Sequence, residues 1–139
     1  MNKKTTLRDI QSYIKLILWT LIIAYLCFTS GSGINDLKIT SLIPAWILPY
    51  MDKIVHFIMF FTLAFLVKSL ESQATISRKN YYVLVVACVV YGLLTEIIQH
   101  YLIVSRSGDI VDFISDVIGI SVSLSIFRYW PKWIKWIFG

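Results

Sequence analysis

Polar side chains that can bind a ligand or move protons lie close together between positions 96 and 116 of an otherwise strongly apolar chain. Placing an ionisable side chain at the centre of a membrane helix costs roughly 2.5–3.5 kcal/mol, so such residues usually mark a functional interior. Asp52 and His56, four residues apart, add a carboxylate and an imidazole. The other members of the set are Glu96, Gln99, Arg106, Asp109, Asp112 and Asp116.

Carboxylates, an imidazole and an amide in one cleft support two kinds of chemistry. They can hold a divalent cation through oxygen ligands, with His56 as a further ligand or base. They can also form an acid-base pair in which burial keeps one carboxyl protonated while the other is ionised. The sequence identifies no definite cofactor; a divalent cation is compatible with these residues, and the identity of any metal stays open. The catalytic candidates are Glu96, Asp112 and His56, and the ligand-binding candidates are Asp52, Gln99, Arg106, Asp109 and Asp116.

Two of the candidates also have a structural interpretation that the sequence leaves open. His56 can cap a helix or hydrogen-bond within the bundle instead of transferring protons or binding a metal. Arg106 can bind a lipid phosphate through two parallel hydrogen bonds. It can equally pair with Asp109 or Asp112 and hold a loop in place.

Glu96 is the candidate for which the sequence most favours a function. A carboxylate two helical turns inside a span either pairs with a cation or stays protonated. A neutral Glu96 can also hydrogen-bond to Asp116 or Gln99 and hold helices together. An enzyme would further need a nucleophile, and no available hydroxyl lies in a recognisable motif with His56. The nearest hydroxyls belong to Ser105, Ser107 and Ser115.

The elements that position these residues are membrane spans. Hydrophobic residues make up 58% of the chain and charged residues 15%, and the mean hydropathy is +0.73, whereas soluble domains carry about 25% charged residues. A helix of on the order of 20 residues crosses a hydrocarbon core. The sequence predicts an all-α bundle of four transmembrane helices, a single domain over 1–139, with spans at about 13–30, 54–70, 81–102 and 110–127.

The distribution of basic residues predicts the orientation of this bundle. Eight of the thirteen Lys and Arg residues precede the first span, lie between the second and third, or follow the fourth, and Lys15 and Lys68 lie within one turn of the same ends of the first and second spans. By the positive-inside rule both termini are then cytoplasmic, and the polar site faces the outside. The net charge of +5 is accordingly explained by topology and anionic lipid rather than by nucleic acid.

Helix geometry predicts two polar layers at the outer end of the bundle. At about 1.5 Å per residue, Glu96 and Asp116 lie roughly 9–10 Å inside the ends of their helices. His56, Gln99 and Asp112 are expected in a shallower layer. The two deeper carboxyls should therefore share a depth.

The fourth span carries its polar residues on one face. Asp109, Asp112, Asp116, Gly119 and Ser123 follow one another at steps of three or four residues, which places them on one side of a helix. The last two form a small-x-x-x-small pattern that lets helices approach closely. The polar face is thus also the predicted packing face, and the site is enclosed.

Three motifs follow one another along the chain: Asp52-Lys53-x-x-His56, Glu96-x-x-Gln99 and Arg106-x-Gly108-Asp109-x-x-Asp112-x-x-x-Asp116-x-x-Gly119. In this order they resemble the motifs of the VanZ-like membrane family, which is named for a protein associated with teicoplanin resistance. The resemblance covers roughly residues 13–127. Asp116 stands where family members often carry Asn, and Ser123 stands where a second Gly is common.

The resemblance implies a multi-pass protein of the bacterial inner membrane that recognises an envelope lipid or amphiphile at the outer leaflet and affects susceptibility to glycopeptides and lipoglycopeptides. Two alternatives remain: a membrane enzyme that uses Glu96, Asp112 and His56 on a lipid-linked substrate, and a small cation- or proton-coupled transporter. The expected partners are membrane lipids, a lipid-linked envelope component or a lipoglycopeptide, and a second copy of the chain, but not nucleic acid. A homodimer would supply the eight spans that suit a transporter better than four.

Two further features of the chain are expected to be architectural. Cys27 and Cys88 lie within spans, so both are predicted to be thiols that behave as small hydrophobic residues. The segment 31–51 either covers the polar site as a flap or is a linker at the membrane interface.

Overall fold

The computed structural model describes residues 7–28, 44, 46–73, 75–102 and 109–134. It contains four α-helices: α1 (Leu7–Phe28), α2 (Met51–Ser72), α3 (Arg78–Leu102) and α4 (Ile110–Ile126). Short 3-10 turns at Leu48–Tyr50 and Phe127–Tyr129 precede α2 and follow α4. No strand occurs in these ranges, and all four helices are long and apolar enough to cross a membrane. The predicted all-α bundle of four spans is confirmed.

Three of the helices extend beyond the predicted spans. α1 begins at Leu7 instead of 13, α2 begins at Met51 instead of 54, and α3 begins at Arg78 instead of 81. Hydropathy marks only the apolar part of a helix, whereas the hydrogen-bonded backbone continues into its polar first turn. α4 begins at the predicted residue, because its N-terminus is fixed by the side chain of Asp109, which accepts a hydrogen bond from Val111 N.

α2 lies at the centre of the bundle and is the most buried of the four spans. Its residues Phe60, Leu63 and Val67 form one hydrophobic core with residues of the three other helices. Burial of this kind stabilises the bundle through close packing rather than through exclusion of water, because lipid is itself apolar. The other buried core residues include Ile23 and Cys27 of α1, Cys88 of α3 and Ile120 of α4.

α2 and α4 approach each other most closely at Gly119, which the sequence analysis placed on the packing face. A Cβ atom at Gly119 would lie 2.5 Å from the backbone oxygen of Phe57, closer than any real side chain tolerates. Ser123, one turn further along α4, is fully buried. The predicted small-residue packing face is therefore present.

α1 lies at the periphery and is attached to the bundle partly by hydrogen bonds to backbone oxygens. Trp19 Nε1 donates to the oxygen of Met59 over 3.0 Å, and Tyr91 Oη donates to the oxygen of Thr20 over 2.9 Å. Most of the large apolar side chains of α1 are exposed, as expected of a helix that faces lipid. Both cysteines of the chain are buried and no disulfide joins them, as predicted.

Chain direction brings three helix ends together. α2 starts, α3 finishes and α4 starts at the same end of the bundle, so the polar residues near these termini can meet there. The candidate site lies at this end.

Candidate functional site

The N-terminus of α4 and the first turn of α2 are joined by an ion-pair network. Lys53 Nζ donates to Asp109 Oδ2 over 3.0 Å and to Asp112 Oδ1 over 3.2 Å. The side chain of Asp109 is 39% exposed and that of Lys53 is 27% exposed, whereas Asp112 is buried. We call Asp52, Lys53, Asp109 and Asp112 the end cluster.

Asp109 is the residue of the end cluster that directly precedes α4, just outside the fourth span. Hydrogen bonds from the backbone N–H of Val111 and from the Lys53 ammonium hold the pKa of Asp109 below its ordinary value. A carboxylate at this position also interacts favourably with the positive end of the α4 dipole. Asp109 is consequently ionised at neutral pH.

Deeper in the bundle, three helices each contribute one ionisable side chain. His56 Nδ1 of α2 lies 3.0 Å from Asp116 Oδ1 of α4 and 3.6 Å from Glu96 Oε1 of α3. The side chains of His56 and Asp116 are 1% and 0% exposed, and that of Glu96 is 8% exposed. We call these three residues the inner cluster.

Glu96 connects the two clusters through its second oxygen. Glu96 Oε2 accepts a hydrogen bond of 3.1 Å from the backbone N–H of Asp109. The end of α3 is thereby tied to the start of α4.

Two oxygens of the inner cluster have no hydrogen-bond partner among the described residues, although both are buried: Glu96 Oε1 and Asp116 Oδ2. A buried acceptor without a partner is destabilising by about 1–3 kcal/mol, and by more when it is charged. Such atoms in a native fold call for an explanation such as a proton, a water molecule or an ion. The inner cluster is thus suited to take up a cationic species.

Gly92 of α3 provides the space that Asp116 occupies. A Cβ atom at Gly92 would lie 3.0 Å from Asp116 Oδ2 and 3.3 Å from Cε1 of Phe60. A side chain at position 92 would therefore require Asp116 and Phe60 to shift by a few tenths of an ångström. Gly92 thus lies in direct contact with the inner cluster.

Charge decides what the two clusters can bind. Together the two clusters hold five carboxylates, and the positively charged or chargeable groups among their residues are the ammonium of Lys53 and the imidazole of His56. Two groups of three residues bring possible metal-ligand atoms within 4.8 Å of one another. The arrangement favours cations and protons over anions. The two groups are Asp52, His56 and Asp112, and His56, Glu96 and Asp116.

The structure brings together most of the candidates that the sequence identified, and it differs from the predicted layers at one residue. His56, expected beside Gln99 and Asp112, reaches the deeper carboxyls Glu96 and Asp116. Helical backbone begins already at Leu48, so His56 lies more than one turn inside the bundle. His56 therefore reaches the deeper carboxyls in addition to Asp112 of the predicted shallower layer, from which it lies within 4.8 Å.

Two of the ligand-binding candidates are not placed in the clusters. Gln99 is buried and its Nε2 donates to the backbone oxygen of Cys27 over 2.9 Å, which ties α3 to α1. Arg106 lies outside the described residues, and so does most of the segment 31–51 that was considered as a flap. Their predicted roles stay predictions.

Sequence reasoning missed Lys53 and Gly92 as site residues. Lys53 precedes His56 by three residues and so shares its helix face, which was the available signal. The interpretation that paired Asp109 or Asp112 with Arg106 did not consider Lys53, which contacts both carboxylates. Gly92 gave no local signal, because its importance depends on how α3 and α4 pack.

Comparison with known proteins gives one result. A family model described as VanZ/LLP1 matches residues 3–134, nearly the whole chain. No curated protein and no solved structure matches the chain significantly.

Proposed function

The chain belongs to the VanZ/LLP1 family, and we propose that it recognises the cationic headgroup of an envelope amphiphile and thereby alters susceptibility to glycopeptides and lipoglycopeptides. Family membership and the four-span bundle support a role in the membrane. The acidic site supports the choice of a positively charged headgroup. Under this proposal the amphiphile is a lipid, a lipid-linked envelope component or a lipoglycopeptide.

The observation that carries the proposal is the acidic character of the end cluster. Asp109 is partly exposed, and within the described residues Asp109 and Asp112 share the ammonium of Lys53. A further ammonium group beside these carboxylates would be attracted more strongly than in bulk water, since the effective dielectric constant near a protein surface is about 20. The apolar tail would lie along the exposed apolar faces of the helices.

The proposal also needs the end cluster to face the outer leaflet of the inner membrane. The excess of Lys and Arg at the opposite end of the predicted spans supports this orientation, with both termini cytoplasmic. Lys68 and Glu71 at the end of α2 and Arg78 at the start of α3 would then lie on the cytoplasmic side.

A binding experiment tests the headgroup. The full chain is placed in phosphatidylcholine nanodiscs that contain a cationic, a neutral or an anionic lipid with the same acyl chains, and thermal unfolding is measured. We expect the cationic lipid to raise the unfolding temperature, because a ligand that prefers the folded state stabilises it. Asp112→Asn and Asp109→Asn should reduce this rise, and Asn retains the ability to cap α4. A rise with the anionic lipid instead would contradict the proposal.

A matched control variant and a susceptibility assay in cells complete this test. Glu71→Gln removes a carboxylate that pairs with Lys68 at the opposite end of α2, and it should leave the effect of the cationic lipid intact. In a glycopeptide-susceptible bacterial host, the wild type and Glu71→Gln should lower susceptibility to teicoplanin. Asp112→Asn at equal membrane abundance should not.

A second candidate function, membrane enzyme, is favoured by the contact between His56 and Asp116. In the site without a metal, the Asp116 carboxylate at Nδ1 of His56 fixes the tautomer in which Nε2 can accept a proton, as in many general bases. Glu96 lies beside this pair, and Asp112 completes the catalytic set that the sequence suggested. Loss of turnover on a lipid-linked substrate in Asp116→Asn, with headgroup binding retained, would favour the enzyme over the binding protein.

A further inference from the structure

We propose that the inner cluster binds one divalent transition-metal ion of the Zn²⁺ type, with His56 Nδ1, Glu96 Oε1 and a carboxylate oxygen of Asp116 as ligands. The inference is independent of the amphiphile proposed for the end cluster. It would hold whether or not that amphiphile binds.

The spacing of the three side chains fits coordination of a single ion. Two ligands held at about 2.0–2.1 Å from a tetrahedral Zn²⁺ are separated from each other by about 3.3 Å. The distances from His56 Nδ1 are 3.0 Å to Asp116 Oδ1 and 3.6 Å to Glu96 Oε1. One ligand atom from each of the three residues lies within 4.8 Å of the other two, so small side-chain adjustments bring the three ligands around one centre.

Two buried oxygens without partners point to a ligand at this position. Glu96 Oε1 faces His56, and neither it nor Asp116 Oδ2 accepts a hydrogen bond within the described residues. A divalent cation would supply the missing interaction of Glu96 Oε1, and that of Asp116 Oδ2 where Asp116 coordinates through this oxygen. It would also balance the two negative charges, leaving a nearly neutral centre with a neutral imidazole in an environment where net charge is costly.

The types of ligand select the class of metal. An imidazole nitrogen with two carboxylates suits Zn²⁺ and similar first-row ions, whereas Ca²⁺ and Mg²⁺ prefer oxygen ligands alone. Three protein ligands would leave a fourth position open, which is the pattern of catalytic rather than structural zinc sites.

Neighbouring groups support the inner cluster over the alternative group of Asp52, His56 and Asp112. The N–H of Asp109 donates to Glu96 Oε2, a contact of the kind that orients a metal-binding carboxylate from behind. Asp112, in contrast, already accepts a hydrogen bond from the Lys53 ammonium. A fixed positive charge so close to an ion disfavours metal binding there.

The test is metal binding to the purified full chain, with any histidine tag removed. Metal content after dialysis against Zn²⁺ gives the stoichiometry, and a competition titration with a zinc-binding dye gives the affinity. We expect one Zn²⁺ per chain. Removal of an outer-shell partner alone weakens metal sites roughly 10- to 100-fold, so each of His56→Gln, Glu96→Gln and Asp116→Asn should weaken binding by at least that much.

Matched variants distinguish the inner cluster from adventitious surface binding. His100→Gln removes the other histidine of the chain, which is exposed on α3, and Glu71→Gln removes a carboxylate at the opposite end of α2; both should bind Zn²⁺ as the wild type does. Glu96→Gln and Asp116→Asn are nearly isosteric, and thermal unfolding in a chelator checks that they remain folded.

Three results would overturn the assignment. The first is wild type that binds no more Zn²⁺ than His56→Gln. The second is loss of binding in His100→Gln but not in His56→Gln. The third is an affinity for Mg²⁺ or Ca²⁺ equal to that for Zn²⁺. No cationic lipid is present in the metal titration. The result of that titration therefore does not depend on the result of the headgroup experiment.

Discussion

Gly119 of α4 lies directly against the backbone of Phe57 in α2, with space for a hydrogen atom but not for a methyl group. A Cβ atom there would stand 2.5 Å from the oxygen of Phe57 and 3.1 Å from the nitrogen of Phe61. Both neighbours are backbone atoms of a helix, which cannot rotate away as a side chain can. The spacing of α2 and α4 therefore depends on this glycine, and the contacts of His56 and Lys53 with α4 depend on that spacing.

Gly119→Ala is accordingly expected to destabilise the bundle. Overpacking of this kind typically costs about 1–3 kcal/mol, and thermal unfolding in detergent should show a clear fall in the unfolding temperature. Ser121→Ala, on the exposed side of the same helix, is the control and should unfold as the wild type does. An unchanged unfolding temperature for Gly119→Ala would mean that α2 and α4 can move apart without loss of stability.

Lys53 should contribute to stability mainly through Asp112, the more buried of its two partners. Lys53→Met leaves both carboxylates without their ammonium, and we expect a loss on the order of 1 kcal/mol, because Lys53 is itself partly exposed and both ion pairs are screened by solvent. A double-mutant cycle with Asp112→Asn measures the coupling directly. Additive effects of the two substitutions would show that the ion pair contributes nothing.

The sequence predicted the faces of the helices better than their relative depth. Asp109, Asp112, Asp116 and Gly119 could be assigned to one side of α4 because helical periodicity is a local property of the chain. The depth of His56 could not be assigned, because it depends on where α2 begins. That point is determined by the 3-10 turn at Leu48–Tyr50, which hydropathy does not reveal.

Contacts between helices were the part of the site that the sequence could not supply. Lys53 can reach Asp109 and Asp112 only in the observed register of α2 against α4, and Gly92 matters only because Asp116 faces it. The types of the residues and their spacing identified which side chains can take part in binding or catalysis. The packing of the helices determines which of these side chains are in contact.

In the metal-free protein, Glu96→Gln should not lower the stability of the fold, whereas Glu96→Ala should lower it. Glu96→Gln keeps an oxygen that can accept from the N–H of Asp109, and it removes one of the two negative charges beside His56. Glu96→Ala leaves that N–H without its partner, which typically costs about 1–3 kcal/mol when the group is buried. Thermal unfolding in a chelator should rank Glu96→Gln at or above the wild type and Glu96→Ala below both. Equal stability of the two variants would contradict a role for Glu96 in joining α3 to α4.

Gln99 is expected to hold α1 in place rather than to bind a ligand. Gln99→Leu removes the hydrogen bond to the oxygen of Cys27; polar contacts between membrane helices are typically worth about 0.6 kcal/mol and at most about 1.7. In a Cys88→Ala background, maleimide should modify the buried thiol of Cys27 faster in Gln99→Leu than in the parent. His100→Leu, at the next and exposed position of α3, should leave the labelling rate unchanged. Loss of cationic-lipid binding in Gln99→Leu, with Cys27 still protected, would instead support Gln99 as a ligand-binding residue.

The orientation of the bundle is the last premise of the proposed function, and it can be tested on intact cells. Single cysteines are introduced at Asn80, in the exposed first turn of α3, and at Ile110, in the exposed first turn of α4, in a chain whose own Cys27 and Cys88 are replaced by Ala. If the end cluster faces outward, a membrane-impermeant maleimide should label Ile110→Cys in intact cells and Asn80→Cys only after lysis, as the excess of basic residues near the start of α3 predicts. The reverse pattern would place the acidic residues on the cytoplasmic side, where they could not meet an amphiphile of the outer leaflet. It would leave the metal site of the inner cluster untouched, because that site depends on the contacts of His56, Glu96 and Asp116 and not on the side of the membrane they face.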